Sequence, residues 1–387
     1  MRMHILYLEG ESMIKSIKIR LKPNKEQEVL MFKSAGISRF TYNWALARWN
    51  EIYKNGEKPN KVKIRKEFNY LKKDKEYEWL KEVSAQVSQY AFEDLQTAYK
   101  NFFEGKAKKP QFKSKKRSKT CFYARYDALK FQEDTVKIEK IGKVKYYSDY
   151  GIPNQPKYNN PRISYDGKYW YLSFGFEHEI IRPTLTNESI GIDVGIIALA
   201  ICSNLDKPIK NINKSTKVRR LKKKLKRLQR QVSRKYEMNK QGQKFIKTKN
   251  IIKLEKKIKL VHRKLRNIRL NHIHQATNVI VKTKPSRVVM ETLNITGMMK
   301  NKHLAKAIQE QKLYEFKRQL QYKCKFNGIE FVEADRFYPS SKMCSCCESI
   351  KKDLKLSERV YHCTKCGYKE DRDKNASINL AKYKLVV

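Results

Sequence analysis

The sequence predicts a multi-domain α/β protein. An N-terminal β-barrel carries a helical insertion, and a larger α/β domain carries an inserted metal-binding ribbon. Three observations support this. Short strand-like runs, one at 14–21 and several after Cys121, flank a block of helical periodicity. From Ser189 onward strand-like and helical runs alternate, as in an α/β unit. Cys344 and Cys347, then Cys363 and Cys366, form two C-x-x-C pairs with fifteen residues between them.

Residues 14–21 alternate apolar and basic side chains, as a half-buried strand does. Pro23 and Asn24 then open a helix over 25–35 that should stop near Gly36, and 37–53, rich in Phe40, Tyr42, Trp44 and Trp49, reads as a second helix. Helical patterns continue through 62–71 and 83–103, so residues 23–105 form the helical insertion. Residues 106–119 hold eight basic residues in fourteen, a composition that suits both a solvated linker and a phosphate-tracking segment. Strand-like runs at 121–126, 129–132 and 136–141 precede a hairpin, 162–165 and 169–176, that turns at Asp166-Gly167. Together, 13–22 and 106–188 suggest a small barrel of oligonucleotide-binding type.

Residues 189–193 and 196–202 read as a strand pair that opens the second domain, 189–342 and 368–387. Within it, 214–270 forms a basic helical hairpin. Val218, Leu221, Leu225, Leu228 and Val232 mark one apolar face, and Ile251, Leu254, Ile258, Val261, Leu265 and Ile268 mark another, with Gly242 in the turn. The remaining faces are basic: 214–235 holds twelve Lys/Arg and no acid, and 247–269 holds ten against Glu255. A strand at 287–290, a helix over 304–325 and a strand at 329–333 complete the alternation.

The charge limits the choice of partner. With 87 Lys+Arg against 39 Asp+Glu the net charge is +48, while 40% of the 387 residues are hydrophobic, enough for packed cores. A polyanion relieves such self-repulsion, and nucleic acid is the default one. A membrane is not expected, since no apolar run approaches the ~20 residues of a spanning helix. Ile5-Leu6-Tyr7-Leu8 is too short for a signal peptide, and Met13 offers an alternative start, so 1–12 reads as an extension. The expected location is cytoplasmic and nucleoid-associated. Candidate backbone contacts are Lys113, Lys115, Lys116 and Arg117 in the 106–119 segment, and Arg219, Arg220, Lys223, Arg227, Lys257 and Arg263 on the hairpin. Gln86 and Gln89, on one helical face, could read base edges, or simply face solvent.

Cys344, Cys347, Cys363 and Cys366 have the spacing that supplies four thiolates to one tetrahedral zinc. Such a closed site is structural. Cys346 offers a rival pairing, but two adjacent ligands are geometrically awkward. Gly367 follows the second knuckle, whereas Glu348 stands where a glycine would serve the first. Cys121, Cys202 and Cys324 read as core residues. The ribbon therefore spans 343–367.

Three acids occupy unusual places: Asp193 ends the apolar run 189–192, Glu291 ends 287–290, and Asp373 lies just before a helix over 375–383, with Asp371 two residues earlier. An isolated buried carboxylate is costly unless it is paired, hydrogen-bonded or metal-bound. Each acid alone could be a cap or a salt bridge. Three together, in a chain that favours phosphate, point to Mg²⁺ or Mn²⁺ and phosphodiester hydrolysis.

Ile190-Gly191-Ile192-Asp193-Val194-Gly195, Met290-Glu291-Thr292-Leu293-Asn294, Pro339-Ser340-Ser341-Lys342 and Asp371-Arg372-Asp373-Lys374-Asn375-Ala376 resemble the motifs of the OrfB/TnpB family. This family is encoded by insertion sequences and related to type V CRISPR effectors. Ile19-Arg20-Leu21-Lys22-Pro23 and Pro110-Gln111-Phe112-Lys113-Ser114-Lys115 are also similar to it. The resemblance implies a RuvC-like (RNase H-like) nuclease domain with inserted zinc ribbon, a wedge-like barrel and a recognition insertion. It implies Asp193, Glu291 and Asp373 as catalytic Mg²⁺ ligands, with Asp371 the second choice for the third. It also implies a guide RNA transcribed from the transposon end, and cleavage of double-stranded DNA beside a short motif. Glu348 and Cys346 depart from the family pattern at the first knuckle. A non-catalytic regulator of transposition and a direct transposase are the competing readings.

Overall fold

The apolar–basic alternation of the first run produces β1 (Ser12–Lys22), which buries Ile19 and Leu21 and leaves Lys18 and Lys22 exposed. The computed structural model describes residues 12–149, 151–153, 157–179, 183–355 and 357–384, in two compact units that divide after Glu179. Most of the expected extension, 1–11, lies outside the described residues.

In the first unit β1 is followed by three helices, α1 (Lys25–Lys54), α2 (Lys61–Leu71) and α3 (Ala85–Phe103). Six strands come next: β2 (Cys121–Tyr123), β3 (Lys130–Phe131), β4 (Thr135–Ile138), β5 (Gly142–Tyr147), β6 (Asn159–Tyr165) and β7 (Trp170–Glu179). The sheet has the order β2-β6-β7-β1-β5-β4-β3, and every pairing is antiparallel. Its terminal strands, β2 and β3, do not pair with each other among the described residues. Strand β5 had no counterpart in the sequence reading.

The break expected at Gly36 is absent. Helix α1 runs through it, started by a capping box in which Asn24 and Gln27 satisfy each other's backbone N–H. A helical glycine costs about 1 kcal/mol relative to alanine. Burial of Met31, Ala35, Ile37 and Leu46 on one side of the same helix outweighs that.

The second unit begins with β8 (Thr186–Val194), β9 (Ala198–Cys202) and β10 (Ile209–Lys210). Helix α4 (Thr216–Met238), the small hairpin β11 (Lys240–Gln241) and β12 (Lys244–Phe245), and α5 (Lys249–Lys282) follow. Then come β13 (Pro285–Glu291), α6 (Ile295–Met298), α7 (Lys302–Gln311), α8 (Leu313–Phe326), β14 (Glu330–Ala334), β15 (Val360–His362), β16 (Lys369–Asp371) and α9 (Arg372–Ala381). The main sheet has the order β10-β9-β8-β13-β14, with β8, β13 and β14 parallel.

The predicted apolar stripes pair α4 with α5, burying Val218, Leu228, Val261 and Leu265. The second half of α5 continues into the sheet core through Ile273, Ile280 and Val281. The single helix expected over 304–325 is instead α7 and α8, broken at Lys312, whose backbone is left-handed (φ 58°). The Gln311 side-chain amide donates to the Gly195 and Ala198 carbonyls, each at 3.0 Å, and this holds the corner. Ile308, Leu313, Phe316 and Leu320 remain buried on both sides, so the periodicity gave no sign of the break. Helix α9 starts earlier than expected, with Asp371 as N-cap and Asp373 in its first turn. Among the described residues, no helix is long and apolar enough to cross a membrane.

Candidate functional site

Adjacent parallel strands bring two of the acids together. Met290 pairs with Ile192, so Asp193 and Glu291 leave neighbouring positions at the C-terminal ends of β8 and β13, where α/β sheets bind ligands. The third acid arrives on α9, which lies on the same sheet face. A Cβ at Gly191 would collide with the Ser377 carbonyl oxygen and the Ala381 backbone nitrogen, so the helix rests directly on that glycine. Asp193 is two residues further along β8 and faces the same side. Val289 packs with Leu380 of α9 in the same way, with Glu291 two residues further on.

The site is electrostatically tense. Burial, reinforced by Glu291 and then Asp373, pushes Asp193 well above the usual carboxylate range. Burial also pushes Glu291 up to about 7, although the Val194 N–H donates to its Oε1 at 3.4 Å. Asp373 accepts from Arg372 Nη2 at 3.2 Å and lies 3.7 Å from Arg359 Nη1. The three carboxylates feel one another, but their oxygens do not all come within 4.8 Å. Asp371 is occupied as the cap, accepting from the Asp373 and Lys374 N–H groups at 3.0 Å each. A cleft of about 670 Å³ opens beside Asp193 and Asp373, with Arg359, Arg372 and Lys342 among its polar lining and Ile196, Met298 and Leu304 among its apolar lining.

The four predicted thiols converge. The Sγ atoms of Cys344, Cys347, Cys363 and Cys366 all lie within 4.8 Å of one another, the only such group among the described residues. Cys344–Cys366 and Cys347–Cys363 are 3.6 Å apart, close to the ~3.8 Å edge of a tetrahedron with zinc–sulfur bonds near 2.3 Å. Cys346 is exposed and outside the group. Glu348 and Gly367 occupy equivalent positions in the two knuckles, both left-handed (φ 62° and 74°). Glu348 thus adopts the glycine conformation in place of a glycine.

Sequence reasoning missed the residues that support these groups. Ser349 Oγ lies 3.1 Å from Cys347 Sγ and 3.2 Å from Cys363 Sγ, and its hydrogen bond is the first cause holding the Cys363 thiol down at about 5. Asn375, fully buried, donates to the Met343 carbonyl at 2.8 Å and accepts from the Ser345 N–H at 3.0 Å. Lys374 donates to the Cys202, Ser203 and Leu205 carbonyls at 3.1, 2.9 and 2.9 Å. The run Asp371 to Ala376 was legible as a motif, but the individual tasks of its residues were not. Of the free cysteines, Cys202 and Cys324 are buried as expected, while Cys121 is only half-buried.

The basic candidates separate. Arg219, Arg220, Lys223, Arg227 and Lys257 are exposed on the hairpin, and Arg263 is half-buried. Lys115, Lys116 and Arg117 are exposed on their loop. Lys113 has other commitments: its ammonium lies 3.6 Å over the Tyr42 ring and 4.0 Å from Asp94, and burial lowers its pKa. On α3, Gln89 is exposed and Gln86 half-buried.

Three family models match the chain: "Helix-turn-helix domain" of the OrfB/IS605 type over residues 13–58, "Probable transposase" of the same type over 173–302, and "Cas12f1-like, TNB domain" over 314–380. "Putative RNA-guided DNA endonuclease InsQ" of Escherichia coli (strain K12) is 30% identical across 95% of this chain and 91% of its own length. The chain belongs to the OrfB/TnpB family. A second relative in this family, "Putative RNA-guided DNA endonuclease" of Streptomyces pristinaespiralis, is 30% identical over 95% of this chain and 88% of its length. The fold resembles the protein in the cryo-EM structure of a Cas12f1-sgRNA-target DNA complex (TM-score 0.58, 13% identity, 96% of this chain and 99% of that one). In this family member the stretch matched as helix-turn-helix folds as β1 and the uninterrupted α1.

Proposed function

We propose that the chain is an RNA-guided, metal-dependent DNA endonuclease encoded by an insertion sequence, working in the cytoplasm at the nucleoid. The reading rests on one observation above the others. Asp193 and Glu291 end adjacent parallel strands, and Asp373 stands in the first turn of the helix that crosses them. A merely structural acid would be neutralised by a partner of opposite charge. The carboxylates of Glu291 and Asp373 instead act on Asp193 more strongly than the cation Arg372 does.

Asp193, Glu291 and Asp373 would hold Mg²⁺ or Mn²⁺, with hard oxygen donors suited to those ions. Asp373 is preferred to Asp371 because Oδ1 of the latter already accepts two backbone N–H groups at the cap. When bound, two such ions activate water and stabilise the leaving oxygen of a phosphodiester. The chain's own residues do the rest. Arg359 and Arg372 hold Asp373 and present positive charge to a phosphate in the cleft, and Ile196, Met298 and Leu304 in the cleft lining limit water. Cys344, Cys347, Cys363 and Cys366 would bind one structural zinc in a RuvC-like domain. The relatives' names supply the RNA and the DNA. A guide RNA from the transposon end would choose the target by pairing, and the protein would hold the heteroduplex by its backbone.

Purified with its RNA and given Mg²⁺, the protein should cut a matched double-stranded target. Asp193→Ala should abolish cutting and leave RNA affinity within about twofold. Undiminished cleavage by that variant would remove the assignment.

A further inference from the structure

Between the far ends of α4 and α5 lies a groove that backbone binding alone does not explain. Gln231, Arg234 and Met238 enter it from α4 at three- and four-residue intervals that share a helix face, and Asn250, Lys253 and Leu254 enter it from the first turns of α5. Its volume is about 440 Å³, within the ~300–1,000 Å³ of small-ligand sites. Lys235 and Lys257 complete the wall, so four cations and no acid surround it. The one acid of α5, Glu255, is bound instead to Lys247 and, at 2.7 Å, to the Tyr236 hydroxyl. Met238 is 81% exposed, more so than Phe245, Ile246 and Ile252 of the same hairpin.

A duplex backbone is convex and would use only the cations, leaving the two amides and the Met238 and Leu254 side chains unused. A flat, partly apolar ring with polar edges uses all three kinds of group. Met238 and Leu254 offer van der Waals and sulfur–aromatic contact, the amides meet a base edge, and the cations meet the flanking phosphates. We propose that this groove holds one unpaired nucleotide of a bound RNA strand. The inference rests on the RNA-binding half of the function proposed above and is independent of catalysis.

The test uses the full-length protein without divalent metal and reads binding only, so it stands whether or not the chain cleaves. The probes are a fluorescein-labelled 12-nucleotide single-stranded RNA, the same RNA paired to its complement, and the DNA strand of the same sequence. The variant Gln231→Ala/Met238→Ala/Asn250→Ala keeps every cation and alters only exposed side chains. It should weaken single-stranded RNA binding about tenfold and duplex binding less than twofold. A strand carrying 4-thiouridine should crosslink to the peptides holding residues 231–238 or 250–257. Equal losses on single strand and duplex, or no loss, would overturn the proposal. A loss confined to the DNA strand would overturn the assignment to RNA.

Discussion

Asp193 and Glu291 are individually unfavourable in the fold, and their titration gives a way to detect it. Burial raises Glu291 from an ordinary 4.5 to about 7, so folding favours its protonated form. Stability from this source is fully present below pH ~4.5 and is lost as pH rises through 7, an effect of the order of a few kcal/mol. Protein dialysed free of magnesium should therefore melt at a lower temperature at pH 8 than at pH 5.5. Added Mg²⁺ replaces protons with a stronger positive charge, so the rise in Tm it produces should grow with pH. Glu291→Gln should flatten that dependence. Calorimetry giving a pH-independent Mg²⁺ increment, unchanged in Glu291→Gln, would rule out a shared cation site. Legibility at this scale was uneven. The acids and thiols stood out because charge in an apolar run and paired cysteines are improbable by chance. Ser349, Arg359 and Lys374 did not, because a hydroxyl or a cation in a polar stretch has no distinctive pattern until its partner is known.

Among the elements, α9 does the most to organise the site. It rests on Gly191, carries Asp373 at its start, and grips the knuckle through Asn375, Asn379 and Lys382. Gly191→Ala places a methyl against helix backbone that cannot rotate away. It should cost at least about 1–3 kcal/mol as overpacking. Because α9 must shift to relieve the clash, the variant should also lose Mg²⁺-dependent stabilisation while keeping its zinc. Metal analysis and a Mg²⁺ titration of Tm check this, and an unaltered Mg²⁺ response would show that the contact does not position Asp373. Strands and helices with clean periodicity, β1, α3, α4 and α5, were readable in advance. The exceptions share a cause: periodicity reports which face is buried, and neither the continuation of α1 through Gly36 nor the corner at Lys312 changes that face. Strand β5 was hidden by Lys143 and Lys145, which alternate with Val144 but swamp it in a basic stretch.

For the whole molecule, a net charge of +48 makes ionic strength the governing variable. Each neutralised phosphate adds about 0.7–0.9 to the slope of log K against log salt. Replacing Arg219, Arg220, Lys223 and Arg227 together by Ala should lower that slope for RNA binding by about 2–3, with little change in Tm, since all four are exposed. An unchanged slope between 50 and about 300 mM NaCl would remove the α4 face from the interface. The path of the chain has a practical consequence as well. It leaves the sheet after β14, builds the cysteine knuckles, and returns as α9. Anyone miniaturising this protein would see the knuckles as a detachable ornament. Deleting them strips the Met343 carbonyl and Ser345 N–H from Asn375, leaving its amide stranded in the interior, and leaves Asn379 with the Ser340 carbonyl alone. The compact versions worth making are those trimmed elsewhere.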